Sequence, residues 1–95
     1  MHDMTIDDPA VVAEVRAAFD RYEQALVTND VAVLDELFWR DPRTIRFGPD
    51  GAGYGHAAIA AFRAARDASD VARTLERVSI TTFGLDCAVA MAEYR

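Results

Sequence analysis

The sequence has a single cysteine, Cys87, so no disulfide can close within the chain. It has two histidines, His2 and His56, far apart, and no group of His, Cys, Asp and Glu spaced as metal ligands; His56 and Asp50 are a weak pair. No serine sits in a nucleophile elbow. Cys87 has neither a neighbouring histidine nor a helix start to activate it. Gly51-Ala52-Gly53 lacks the third glycine and the preceding βαβ unit of a dinucleotide fingerprint. Neither a metal nor an organic cofactor is therefore expected. No apolar run approaches the length of a bilayer span, and Met1 to Asp8 is polar and acidic rather than a signal peptide. These features predict a cytoplasmic protein. The net charge of −6 argues against nucleic acid and anionic membranes as partners.

Lysine is absent between Arg40 and Arg77, so the positive charge of that stretch is all guanidinium. Arginine presents a planar fork that suits a small carboxylate; a coding bias towards arginine would give the same composition. The chain is 95 residues long and 52% hydrophobic, which allows one globular domain spanning 1–95. Asp8-Pro9 reads as a helix start, with Asp8 as cap and Pro9 at the first helical position. Val12, Val15, Phe19, Tyr22 and Leu26 then recur at helical spacing, and this stripe is expected to pack on a sheet. Asn29 or Asp30 should cap a short second helix over about Val31 to Phe38, which stops before Asp41-Pro42.

The stretch from Phe38 to Tyr54 holds the only tryptophan, two of the three prolines and three of the five glycines. Within it, Arg43 to Phe47 predicts a short strand with Ile45 and Phe47 on one face and Arg46 on the other. If that other face lines a cavity, Arg46 is an anion-binding group; if it meets water, Arg46 is an ordinary solvated side chain. Gly48 to Gly53 reads as a turn or loop, and a third helix should run from His56 to about Arg66. Ile59, Phe62, Arg63 and Arg66 share one of its faces, and both arginines could equally hold their heads in water. From Val71 the period becomes two: Val78, Ile80 and Thr82 on one strand and Cys87, Val89 and Met91 on the next form an antiparallel hairpin, with Cys87 as a buried thiol and the central strand beside it in one small sheet.

Tyr22, Arg46, Tyr54, Arg63, Arg66 and Arg73 form a set that could hold a carboxylate and supply a phenol as acid or base. The motifs Tyr22-Glu-Gln-Ala-Leu26, Asn29-Asp-Val-Ala-Val-Leu-Asp-Glu-Leu-Phe-Trp39, Thr44-Ile-Arg-Phe-Gly48, Ile59-Ala-Ala-Phe-Arg-Ala-Ala-Arg66, Ala72-Arg-Thr-Leu75 and Ile80-Thr-Thr-Phe-Gly84 resemble the AtzH/HpxZ-type family of the NTF2-like (SnoaL-like) superfamily. The resemblance implies an α+β fold, an NTF2-like cone with helices packed on a curved, mostly antiparallel sheet. Family members continue for one or two strands past the position of Arg95, so it also implies a sheet lacking its last strands. It implies a cytoplasmic homodimer, linked to a partner amidase in nitrogen-scavenging catabolism such as cyanuric acid and oxalurate breakdown. The implied activity is an amidohydrolase or decarboxylating step on a ureido-carboxylate, a 1,3-dicarboxyurea-like compound giving allophanate. Its catalytic pair matches Tyr22 and Arg46, with Trp39, Tyr54, Arg63 and Arg66 as substrate-binding candidates. The other reading is a non-catalytic NTF2-like protein that binds a ligand or assists an amidase.

Overall fold

The computed structural model describes residues 4–48, 51–66 and 73–95. His2, Asp50, Val71 and Ala72, which the sequence singled out, lie outside these. The elements are α1 (Pro9–Thr28), α2 (Val31–Leu37), β1 (Ile45–Gly48), β2 (Gly51–Tyr54), α3 (His56–Ala65), β3 (Leu75–Phe83) and β4 (Cys87–Tyr94). The chain divides into two compact units, Met1–Arg21 with Arg73–Arg95, and Tyr22–Ala72. The strands form two separate antiparallel pairs, β1 with β2 and β3 with β4. This corrects two expectations. The segment read as a loop after Gly48 contains a strand, and β1 takes that strand, not the C-terminal hairpin, as its partner. The glycines around Gly51 suggested chain reversal alone, but a glycine can also serve a strand that another backbone or helix approaches closely.

In the first unit, Asp8 Oδ1 accepts from the Ala10 and Val11 amides at 2.9 and 3.4 Å and starts α1. Val11 is buried, while Val12, Val15 and Phe19 are half-buried. The β3–β4 register sets Val78, Ile80 and Thr82 opposite Ala92, Ala90 and Ala88. Thr82 is fully buried in this face, and its amide donates to Asp7 Oδ1 at 2.9 Å. Val89, Met91 and Tyr94 of β4 are exposed. Cys87 is exposed too. The expected buried thiol is therefore corrected: alternation along β4 identifies two faces but does not say how closely either is covered, and Cys87 lies at the start of the strand, on the rim of an open cavity.

The second unit is built around Leu34. Its side chain is fully buried against Ala25 and Leu26, with Tyr22 and Val33 packed on the cluster. The end of the α1 stripe thus meets α2, where a sheet was expected. A buried leucine contributes about 1.5–3 kcal/mol, and here it joins two helices across a tight corner. That corner is made by Asn29 in the left-handed region at φ 51° and by Asp30, whose carboxylate accepts from the Val33 amide at 3.3 Å. Asn tolerates positive φ better than most residues, which lets α1 end and α2 begin within two positions. At the start of α3, His56 Nε2 lies 2.8 Å from the Asp35 carbonyl and ties the helix to α2.

Candidate functional site

Arg46 owes its position to the β1–β2 register. Ile45 pairs with Tyr54 and Phe47 with Ala52, while Arg46 pairs with Gly53. Ile45 and Phe47 are exposed, and Arg46 on the opposite face is half-buried. The face that carries Arg46 is therefore the covered one. Its guanidinium carbon stands 5.0 Å from the centroid of the Phe62 ring, within the range of a cation–π contact. Two of the three glycines of this hairpin make the room. A Cβ on Gly48 would come within 2.9 Å of Arg46 Nη1, and one on Gly53 within 3.2 Å of Ile59 Cγ1. Between this hairpin and α3 lies an open cavity of about 420 Å³, lined by Arg46, Gly51, Ala52, Gly53, Tyr54, Ala58, Ile59 and Phe62. Arg46 and Tyr54 thus share one wall; Tyr22 is not part of it.

Arg63 occupies the other side of α3. It is 1% exposed, so its head is not in water. Its guanidinium carbon lies 4.2 Å from the Phe38 ring centroid and 5.9 Å from that of Tyr22. Those two rings stack with centroids 6.2 Å apart and planes inclined by 29°. Burial pulls the Arg63 guanidinium below its ordinary pKa; the Tyr22 phenol opposes that shift, and the charges of Arg46 and Arg66 reinforce it. The Tyr22 phenol is near enough to favour the cation as a long, weak partner, yet none of Nε, Nη1 and Nη2 of Arg63 has an acceptor at hydrogen-bond distance and angle among the described residues.

Arg66 is held differently. Its Nη2 donates to the Leu26 carbonyl at 3.1 Å and to Asn29 Oδ1 at 2.7 Å. Asn29 Nδ2 in turn donates to the carbonyls of Arg63 and Arg66, at 3.4 Å each. The α1–α2 corner therefore grips the C-terminal end of α3, where carbonyls would otherwise lack partners. Trp39 is exposed, with the Arg43 guanidinium carbon 4.7 Å above its ring. Arg43 is bonded to Asp41 and holds that carboxyl below its usual range. Arg73, in the first unit, lies 4.2 Å over the Tyr94 ring.

Arg63 thus lies beside Tyr22 and within reach of the charges of Arg46 and Arg66, while Arg46 and Tyr54 line a cavity that Tyr22 does not reach and Trp39 is paired to Arg43. Sequence reasoning missed Phe38 and Asn29. Phe38 reads as the last apolar position of a short helix; its ring instead caps a cation. Asn29 carries a legible signal, since an asparagine just before a capping aspartate is a frequent left-handed residue.

The arrangement of helices and antiparallel strand pairs is that of a known protein class, the α+β proteins described as cystatin-like and NTF2-like. The chain belongs to the AtzH-like family, which it matches over residues 4–95. It is similar to a protein of unknown function from the DUF3225 family of Pectobacterium atrosepticum SCRI1043, with 50% identity, a TM-score of 0.91, and coverage of 95% of this chain and 70% of that one. It is also similar to a cystatin-like fold protein from Burkholderia xenovorans LB400, with 40% identity, a TM-score of 0.92, and coverage of 98% of this chain and 72% of that one. No curated protein matches the chain. No helix among the described residues is long and apolar enough to cross a membrane.

Proposed function

We propose that this protein acts on a small ureido-carboxylate, cleaving an N-carboxylate group in the manner of 1,3-dicarboxyurea conversion to allophanate. The observation that carries the reading is the buried Arg63 guanidinium, 5.9 Å from the centroid of the Tyr22 ring, with the charges of Arg46 and Arg66 also acting on it and no carboxylate bonded to it among the described residues. Such an arrangement favours an anionic substrate and stabilises negative charge that develops on it. The reaction consumes water: the carbon–nitrogen bond to the carboxylate breaks, the oxygen of water ends on the carboxyl carbon as bicarbonate, and the nitrogen gains a proton. Arg46 binds the reacting carboxylate, and Tyr22 donates or relays the proton to the departing nitrogen. Trp39, Tyr54, Arg63 and Arg66 bind and orient the substrate. In this reading the protein is a cytoplasmic homodimer that follows a partner amidase in nitrogen scavenging.

A second reading, a non-catalytic binding or accessory protein, draws on one observation: Tyr22 does not line the cavity that Arg46 and Tyr54 share. Incubation with ureido-carboxylates, following bicarbonate and the shortened ureido product (allophanate from 1,3-dicarboxyurea), separates the two. Turnover should vanish in Tyr22→Phe, which removes only the hydroxyl, and fall at least about tenfold in Arg46→Lys, which keeps the charge but loses the fork. No turnover by the folded wild type would leave the accessory reading standing; wild-type rates in folded Tyr22→Phe and Arg46→Ala variants would remove these two residues from the chemistry.

A further inference from the structure

We propose that Arg63 is the anchor of a carboxylate site, and that occupancy of this site stabilises the protein. The inference rests on the reading that the arginine cluster takes a carboxylate, and not on hydrolysis. Three observations carry it. The guanidinium is 1% exposed, and all three of its nitrogens lack an acceptor among the described residues. Buried polar groups are nearly always bonded, and a cation is the costliest exception. Second, the neighbouring charges are the wrong sign. Arg46 and Arg66 both disfavour the Arg63 cation. Arg66 is already committed to Leu26 and Asn29, so it offers no relief. Third, the guanidinium carbon lies 4.2 Å from the Phe38 ring centroid, a neighbour that accepts no conventional hydrogen bond, so the N–H fork keeps its donors for a ligand. A planar carboxylate docking side-on is the acceptor that fits this geometry.

Two features keep Arg63 charged without such a partner. The rings of Phe38 and Tyr22 offer their negative faces. Arg63 also lies in the last turn of α3, where the helix carbonyls favour a cation. Neither supplies a hydrogen bond. The side chain is thus retained against stability, and a ligand that satisfies it raises the stability of the whole chain by mass action.

The test uses the intact chain, with sodium malonate as probe and sodium chloride at matched ionic strength as control. Thermal unfolding of the wild type should shift upward by about 5 °C or more at a tenfold excess of malonate over its Kd, and not in chloride. Arg63→Met should lose this shift while unfolding in chloride at the wild-type temperature or above it. Arg63→Lys should show a shift reduced severalfold. In the wild type, the Arg63 Nε–H resonance should move on malonate titration. The proposal is overturned if Arg63→Met keeps the malonate shift, if it is unfolded or markedly destabilised in chloride, or if the Nε–H resonance does not respond. Malonate binding through Arg63 without turnover of any ureido-carboxylate sinks only the hydrolytic reading; turnover without Arg63-dependent binding sinks only this one.

Discussion

Among the described residues, each unit of the molecule fully buries one polar side chain with side-chain atoms that lack a hydrogen-bond partner: Thr82 in β3 and Arg63 in α3. The two are not equivalent. Thr82 has its amide bonded to the Asp7 carboxylate, and only its hydroxyl oxygen is unsatisfied. A buried hydroxyl costs about 1–3 kcal/mol, and valine has nearly its shape. Arg63 leaves three nitrogens and a full charge unsatisfied beside two other cations. The threonine can be explained by packing and β-propensity. The arginine cannot, because a leucine or methionine would fill the same space without the desolvation cost. A residue kept at a cost to the fold marks where function acts on the sequence.

Substitutions at three positions sharpen this contrast, each read by urea denaturation. Leu34→Ala should have the largest effect, a loss of about 2–5 kcal/mol, since Leu34 is fully buried and joins α1 to α2. A loss under about 1 kcal/mol would show that the second unit is not organised around it. Asn29→Ala should cost about 1–3 kcal/mol, because it deprives Arg66 of its shortest bond and forces alanine to positive φ. Asn29→Gly relieves the backbone but not the lost bonds, so it should recover only part of the loss. Full recovery would mean that the grip on α3 is conformational alone. Thr82→Val should be the mildest, between neutral and about 1 kcal/mol stabilising. A clear destabilisation would reveal a partner for the hydroxyl and break the parallel with Arg63.

The helices were legible because their signals are local. Asp8-Pro9 and Asp30 mark helix starts by chemistry that involves three or four neighbouring residues, and α1, α2 and α3 end within a residue or so of the predicted positions. The C-terminal hairpin was legible for the same reason, through alternation and the turn at Gly84. The β1–β2 pairing was not. Glycine-rich sequence is compatible with a loop or a strand, and only the approach of α3 to Gly53 selects the strand.

By itself, then, the sequence determined the elements and supplied the arginines and tyrosines, because capping, turn chemistry and periodicity act within a few residues. Tertiary structure decided which of those side chains meet. Helical spacing places Ile59, Phe62, Arg63 and Arg66 on a common face, but not what covers each one. Phe38 and Tyr22 cover Arg63, Phe62 lies beneath Arg46, and Asn29 holds Arg66. Burial and charge environment depend on residues distant along the chain, and only the folded molecule brings them within reach of α3.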